Sequence, residues 1–493
     1  MQKGFVMKDN SSNSIFSSFI WRFLERFGAQ GITFVVSLVL ARLLDPEVYG
    51  VLALVTVFTV LMEVFMDSGF GSALVQKKDA DDLDFSTVFY FNIVFSLILY
   101  LILFLAAPLI AAFYKLPELT ALVRVMALVV VISAVKNVQQ AYVSRNMMFK
   151  KFFFSTLGGT LGAAVMGITM AWFGFGVWAL VAQILFNNFV DTVILWITVP
   201  WRPKWKFSWQ RFRTLYSYGW KLLVSSLIAT LYGNVHSLII GKRYTAESLA
   251  FYNQGEKLPS FLVNNIITAV DSVMLPVMAK QQDDVSCVRE LTRRSVQVSA
   301  YIMWPLMIGF AVCAESLVCL ILTDKWLPAV PFLQVCCITY ALHPIHSINL
   351  NAVKALGRSD IQLKLEIIKR VIGLTALLVA MWFGPYAMAL SALATSLISQ
   401  ILNSWPNQKL LNYSCIQQLG DMLPAVLLSL AMGAVVSAVG MLDASYAVRL
   451  LIQVPLGVVI YVAGSWLLQL EAFRFCLDLL KLYFARTKPE MKE

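Results

Sequence analysis

The stretch KRYTAESLAFYNQGEKLPSFLVNNIITAVDSVMLPVMAK, from Lys242 to Lys280, decides the fold class. It is apolar enough to enter a membrane, yet it contains ionisable and amide side chains. Ionisable groups at bilayer depth are costly and usually face a bundle interior or a water-filled cavity. Steps of three and four residues place one polar set in a single row along an α-helix: Asn253, Lys257, Ser260, Asn264, Thr268 and Asp271. This row predicts a cavity lining; the plainer interpretation is hydrogen bonding to neighbouring helices.

Composition assigns the chain to the membrane proteins. Of its 493 residues, 59% are hydrophobic and 14% are charged, whereas soluble domains are about a quarter charged. Hydropathy predicts fourteen spans of roughly 20 residues, of which the first covers 18–41 and the eleventh 365–383. The predicted fold is therefore an all-α polytopic membrane protein.

Two halves of the chain resemble each other at an offset of about 200 residues. The matching pairs are Trp21-Arg22 with Trp220-Lys221, Arg42 with Lys242, Asp67-Ser68 with Asp271-Ser272, and Leu116-Pro117 with Leu327-Pro328. Parallel repeats are a known transporter plan, with the substrate path between the halves. We therefore predict two pseudo-symmetric six-helix lobes followed by two further helices.

The predicted domains follow from this repeat. They are an N-terminal lobe (1–200, helices 1 to 6), a cytoplasmic linker (201–216), a C-terminal lobe (217–409, helices 7 to 12), additional helices 13 and 14 (410–470) and a cytoplasmic tail (471–493).

Lysine and arginine are concentrated on one side of the predicted spans, the side that holds both termini. The positive-inside rule therefore places both termini in the cytoplasm. This asymmetry explains the net charge of +11 without any nucleic-acid partner. Two stretches on that side, NMMFKKFFF from Asn146 and WRPKWKFSWQRFR from Trp201, mix bases with aromatics. Such stretches beside spans are typical of anchoring to anionic membrane lipids.

Bases within the predicted cavity indicate an anionic cargo. Arginine binds phosphate in a bidentate manner, so a phosphate-bearing substrate fits better than a cationic drug. The candidate substrate-binding residues are Arg22, Arg26, Lys136, Lys221, Asn253, Lys257 and Asn264. For Arg22 and Lys221, which lie near the membrane boundary, snorkelling to the interface is the alternative interpretation.

No catalytic or cofactor signature occurs in the sequence. There is no GxxxxGK[ST] to bind ATP, and the three histidines lack ligands at metal spacing. The predicted outer loops are only a few residues long, too short for the active site of a glycosyltransferase or polymerase. We therefore predict a protein that is not an enzyme and that has no catalytic residue, metal or cofactor.

Three segments resemble a known family. They are WRFLERFGAQGITFVVSLVLARLLDPEVYGVLAL from Trp21, DSGFGSALVQK from Asp67 and ALGRSD from Ala355. The chain resembles the Wzx-type polysaccharide transporters of the multidrug/oligosaccharidyl-lipid/polysaccharide (MOP) exporter superfamily, particularly the colanic-acid exporters. The resemblance implies an inner-membrane flippase that moves undecaprenyl-diphosphate-linked oligosaccharide to the periplasmic leaflet by alternating access, with polysaccharide polymerases and glycosyltransferases as partners. The alternatives are a multidrug or cation antiporter of the same superfamily, or a membrane glycosyltransferase or polymerase.

Four acidic residues are candidates for coupling transport to a proton or a sodium ion: Glu63, Asp67, Glu256 and Asp271. Glu63 and Asp67 lie one helical turn apart on one face, and Asp271 is the repeat equivalent of Asp67. A bound ion at these carboxylates would bias the inward-facing and outward-facing states.

Overall fold

A computed structural model describes Trp21, residues 28–67 and residues 69–487. By its internal contacts the chain divides into two compact units, unit 1 (Met1–Ala250) and unit 2 (Phe251–Glu493). Throughout the described ranges the regular structure is helical, so the all-α prediction is confirmed. The predicted ranges of the lobes, linker and tail remain predictions.

Unit 1 contains nine helices in the ranges that the structure describes. They are α1 (Gly28–Leu43), α2 (Pro46–Asp67), α3 (Phe70–Gln76), α4 (Asp82–Tyr114), α5 (Leu119–Met126), α6 (Leu128–Arg145), α7 (Phe149–Trp172), α8 (Val177–Thr198) and α9 (Trp209–Arg243).

Unit 2 holds nearly all of α10 and the helices that follow it. They are α10 (Ala246–Lys280), α11 (Val285–Val312), α12 (Ala314–Ile321), α13 (Val330–Ala341), α14 (His343–Ala355), α15 (Ser359–Ala380), α16 (Pro385–Leu410), α17 (Cys415–Gly440), α18 (Tyr446–Leu467) and α19 (Glu471–Thr487), with a 3₁₀ helix at Asp324–Ala329.

Twelve helical segments among the described residues are long and apolar enough to cross a membrane, so the chain is a multi-pass membrane protein. Two of the fourteen predicted spans are not among these twelve segments. The first, 18–41, overlaps the short apolar helix α1, and the eleventh, 365–383, overlaps α15, which contains more charged residues than the twelve segments allow. The count of fourteen spans stays a prediction. Three of the twelve segments contain more than one α-helix: Pro46–Gln76 holds α2 and α3, α5 and α6 meet at Ala127, and α13 and α14 meet at Leu342.

Glycine allows close helix packing in unit 1. Gly69 has a left-handed backbone with φ of 69°, and a Cβ there would lie 2.9 Å from the Gly219 oxygen of α9. In the pair α7 and α8, a Cβ on Gly159 would lie 2.7 Å from Asn187 Oδ1. Small residues at such contacts let membrane helices approach closely.

The segment between α8 and α9 is fixed to unit 1 rather than extending away from it. Gln139 Nε2 donates to the Trp201 carbonyl at 3.2 Å, and the amide of Lys204 donates to Ser86 Oγ at 3.0 Å. Beside it, the fully buried carboxylate of Asp84 pairs with Lys77 at 2.6 Å. The backbone N–H of Asp84 donates to Asp81, which lowers the pKa of the Asp81 carboxyl. This end of unit 1 is therefore a dense ionic and hydrogen-bonded cluster.

Candidate transport site

In unit 1, Glu63 of α2 contacts the second half of an interrupted span. Ser133 of α6 donates its hydroxyl to Glu63 Oε1 at 3.1 Å. Ser133 itself is buried. Because α6 begins just after Ala127, inside the apolar segment Leu119–Arg145, Ser133 and Glu63 meet between two apolar segments rather than at a loop.

Lys136 lies one turn after Ser133 on α6 and is held by α8. Its ammonium donates to Asn188 Oδ1 at 2.8 Å and lies 3.3 Å from Asp191 Oδ2. Both side chains of the ion pair are largely buried, at 13% and 12% exposure. A buried ion pair is strongly destabilised when one partner is removed, so Lys136 has a structural role inside unit 1 whatever else it binds.

Four predicted residues of unit 1 lie apart from this pair or outside the described ranges. Asp67 is exposed at the end of α2, where the described residues offer it no hydrogen bond or ion pair. Lys221 is exposed on α9. Arg22 and Arg26 lie outside the described residues, so their predicted role stays a prediction.

In unit 2, Asp271 of α10 also meets the second half of an interrupted span. Asn351 Nδ2 donates to Asp271 Oδ1 at 2.8 Å, and Ser347 Oγ donates to the same oxygen. Both donors belong to α14 and are neutral. The half-buried carboxylate is therefore oriented by hydrogen bonds without a cation among the described residues.

Glu256 forms a second acidic contact in unit 2. Its Oε1 accepts a hydrogen bond from Tyr340 Oη of α13 at 2.7 Å. The Tyr340 ring contacts His343, with 4.6 Å between ring centroids, and His343 contacts His346 at 5.7 Å. The two predicted coupling acids of α10 therefore have partners from the two segments that meet at Leu342.

The remaining predicted residues of α10 lie along an accessible face. Lys257 and Asn264 are exposed, and Asn253 is half-buried. Between them, hydroxyl groups bond to the helix itself: Ser260 donates to the Lys257 carbonyl at 3.1 Å and Thr268 to the Asn264 carbonyl at 2.7 Å. This leaves the Lys257 ammonium as the prominent charge on that face.

The partners of the acids escaped the sequence prediction. Ser133, Tyr340, Ser347 and Asn351 lie 70 to 84 residues from the carboxylates they contact. The internal repeat contained a signal for one of these partners. The offset that relates Leu116-Pro117 to Leu327-Pro328 also makes Ser347 the repeat equivalent of Lys136. The described residues include no group of three or more His, Cys, Asp or Glu that would hold a metal ion.

The family model described as "Polysaccharide biosynthesis protein" matches residues 39–331, more than half of the chain. The chain is 28% identical to the teichuronic acid biosynthesis protein TuaB of Bacillus subtilis, over 62% of this chain and 63% of TuaB, just under two thirds of its length. It is 26% identical to the succinoglycan biosynthesis transport protein ExoT of Rhizobium meliloti, over 69% of each chain. It is 25% identical to the lipopolysaccharide biosynthesis protein WzxC of Escherichia coli, over 76% of each chain.

Two solved structures share the fold. The lipid II flippase MurJ in an inward closed conformation superposes with a TM-score of 0.73 at 14% identity, covering 94% of this chain and 100% of MurJ. An inward-facing multidrug resistance MATE transporter of the MOP superfamily gives a TM-score of 0.61 at 13% identity, covering 77% of this chain and 96% of the transporter. Because the family model matches more than half of the residues, this chain belongs to the polysaccharide biosynthesis protein family.

Proposed function

We propose that this protein is a flippase that carries an undecaprenyl-diphosphate-linked oligosaccharide from the cytoplasmic to the periplasmic leaflet by alternating access. It is a transporter and not an enzyme. The observation that carries the proposal is the accessible polar face of α10 with Lys257 within the apolar span. Family relatives named for polysaccharide biosynthesis and transport support the choice of cargo.

The cargo requires such a face. A diphosphate that bears sugars is too polar to cross hydrocarbon unaided, whereas its polyprenyl tail remains soluble in lipid. Lys257 supplies a cation for the diphosphate, and Asn253 and Asn264, one and two turns away, supply amide groups for sugar hydroxyls. Arg22, Arg26 and Lys221 stay predicted substrate-binding residues of unit 1. Moving negative charge outward is favoured by about 2.3 kcal/mol per charge per 100 mV of inside-negative potential.

Resetting the empty carrier is the proposed role of the acids. A proton or a sodium ion binds at Asp271 and Glu256 in unit 2. Glu63 and Asp67 of unit 1 are the other two predicted coupling acids. Asp271 is the strongest candidate because its described partners are neutral donors, so its negative charge can be balanced by a mobile ion.

The proposed location is the bacterial inner membrane with both termini in the cytoplasm. Polysaccharide polymerases and glycosyltransferases are the proposed functional partners. Reporter fusions after Glu493 and within residues 202–213 should both give cytoplasmic signals, since lysine and arginine are concentrated there. A periplasmic signal at either site contradicts this orientation.

The test of the function is a reconstituted transport assay. Proteoliposomes containing the purified protein should move a fluorescently labelled undecaprenyl-diphosphate oligosaccharide between leaflets and should not accumulate a cationic dye. Movement of the dye without the glycan lipid would instead identify a multidrug exporter.

A further inference from the structure

Unit 2 contains a cluster of five buried carboxamides at the junction of α14, α16 and α17. Its members are no more than 3% exposed: Asn349, Gln400, Asn403, Asn407 and Gln418. Asn349 and Gln418 exchange two hydrogen bonds of 2.9 Å, and Asn407 Nδ2 donates to Asn349 Oδ1 at 2.6 Å. Buried polar side chains of this number need a complete set of partners.

The three members on α16 have polar atoms that no described protein group satisfies. They are Gln400 Oε1, Asn407 Oδ1 and both polar atoms of Asn403. Steps of three and four residues place all three on one face of the helix. The set includes both acceptors and an N–H donor. Water matches it because water donates and accepts, whereas a metal cation would leave the Asn403 amide nitrogen unpaired.

A line of titratable groups connects this cluster to a proposed coupling acid. Glu256 accepts a hydrogen bond from Tyr340. The Tyr340 ring contacts the His343 ring, which in turn contacts the His346 ring. Ser396, one turn before Gln400 on α16, donates its hydroxyl to the carbonyl of Thr339, the chain neighbour of Tyr340, at 3.3 Å. His346 Nε2 is buried without a described partner. All of these groups lie within unit 2.

We propose that these residues and bound water form a proton route through unit 2, from the end of α16 to Glu256, separate from the polar face of α10. The inference rests on the proposed function, because Glu256 is one of the proposed coupling acids. Each imidazole takes up a proton on one nitrogen and releases one from the other. Tyr340 gives its hydroxyl proton to Glu256 and regains one through water from His343.

Charged and titratable groups from three helices surround the proposed route. Glu256 interacts with Tyr252 of its own helix and with Cys336 and Tyr340 of α13. The two histidines interact with each other and with Lys369 of α15. Lys369 is therefore the cation among these neighbours.

The experiment measures proton flux driven by glycan lipid in proteoliposomes that contain a pH-sensitive dye. Asn403→Leu removes the polar centre and should lower the flux at least about tenfold, because water chains need continuous partners. Asn403→Ser leaves space and polarity for an additional water and should retain the flux. The matched control is Gln453→Leu, which removes another buried amide with an unpaired oxygen, on α18. It should behave as wild type.

Four outcomes would overturn the route. Wild-type flux in Asn403→Leu, with loss of flux in Glu256→Gln, rejects the route alone and keeps the coupling acid. Proton flux that persists in Glu256→Gln rejects both the route and proton coupling through Glu256. The same conclusion follows if wild-type protein moves glycan lipid without any proton flux. Equal losses in Asn403→Leu and Gln453→Leu would mean that the carboxamides only stabilise the fold.

Discussion

The acidic sites of the two units use the same architecture with different charge balance. In each, a carboxylate on a long helix accepts hydrogen bonds from the second half of an interrupted span, Glu63 from Ser133 and Asp271 from Asn351. One turn beyond Ser133, unit 1 places Lys136, which forms an ion pair with Asp191 and also interacts electrostatically with Glu63. The described partners of Asp271 are all neutral.

This difference separates a structural role from a coupling role. Glu63 has a fixed positive charge nearby in Lys136, so it needs a mobile ion less than an acid without a neighbouring cation. An acid that only neutral donors orient has no cation to pair with, so a proton or a sodium ion can take that place. We therefore assign ion coupling to the acids of unit 2 and structural stabilisation to the Lys136–Asp191 ion pair of unit 1.

The largest expected effect comes from breaking the unit 1 pair. Lys136→Met leaves Asp191 charged and unpaired in a buried position, which should destabilise the protein by about 3–5 kcal/mol. Thermal unfolding of the detergent-solubilised protein and its abundance in membranes measure this. The double variant Lys136→Met/Asp191→Leu should recover most of the stability. An abundant, stable Lys136→Met protein without transport would instead make Lys136 a substrate ligand.

The next effect distinguishes the two acids by transport rather than stability. Asp271→Asn should remove the dependence of glycan transport on pH or sodium and slow transport at least about tenfold, while abundance stays at the wild-type level. Glu63→Gln, the matched change in unit 1, should retain the ion dependence. Loss of the ion dependence in Glu63→Gln but not in Asp271→Asn would contradict the assignment of ion coupling to unit 2. Transport by Asp271→Asn with wild-type ion dependence would contradict it as well.

The smallest effect concerns the hydroxyl donors. Ser347→Ala removes one of the two described donors to Asp271, and Ser133→Ala removes the described donor to Glu63. Each should cost about 1.5–3 kcal/mol at most, as for hydrogen bonds to charged groups. Only Ser347→Ala should shift the ion concentration for half-maximal transport. Equal shifts in both variants would remove the proposed distinction.

Sequence periodicity predicted the polar faces but not their partners. The steps between Asn253 and Asp271 define one side of α10, and the structure places Lys257 and Asn264 on an accessible side. Periodicity contains no information on which distant helix lies opposite, so Tyr340 and Asn351 could not be found from it. The interruptions at Ala127 and Leu342 were also missed, because both segments around each interruption are apolar and read as one span.

Hydropathy gave no indication of the buried carboxamide cluster. Asn403 and Gln418 are polar in sequence, and only tertiary packing shows that both are buried. The repeat was more informative, since it relates Asp67 to Asp271 and Lys136 to Ser347. It could not show that Asp67 is exposed while Asp271 is held by two donors, because that depends on how each acid packs.

The most direct test of the flippase assignment is glycan-lipid transport by variants of the α10 cation. Lys257→Ala should abolish transport with normal abundance, and Lys257→Arg should retain much of it, because the desolvated diphosphate needs a cationic donor. Lys280→Ala, at the exposed end of the same helix, is the control and should be fully active. Arg26→Ala, tested in parallel, should behave as Lys257→Ala. Abundant and fully active Lys257→Ala and Arg26→Ala proteins would contradict the cationic substrate site and favour a multidrug exporter.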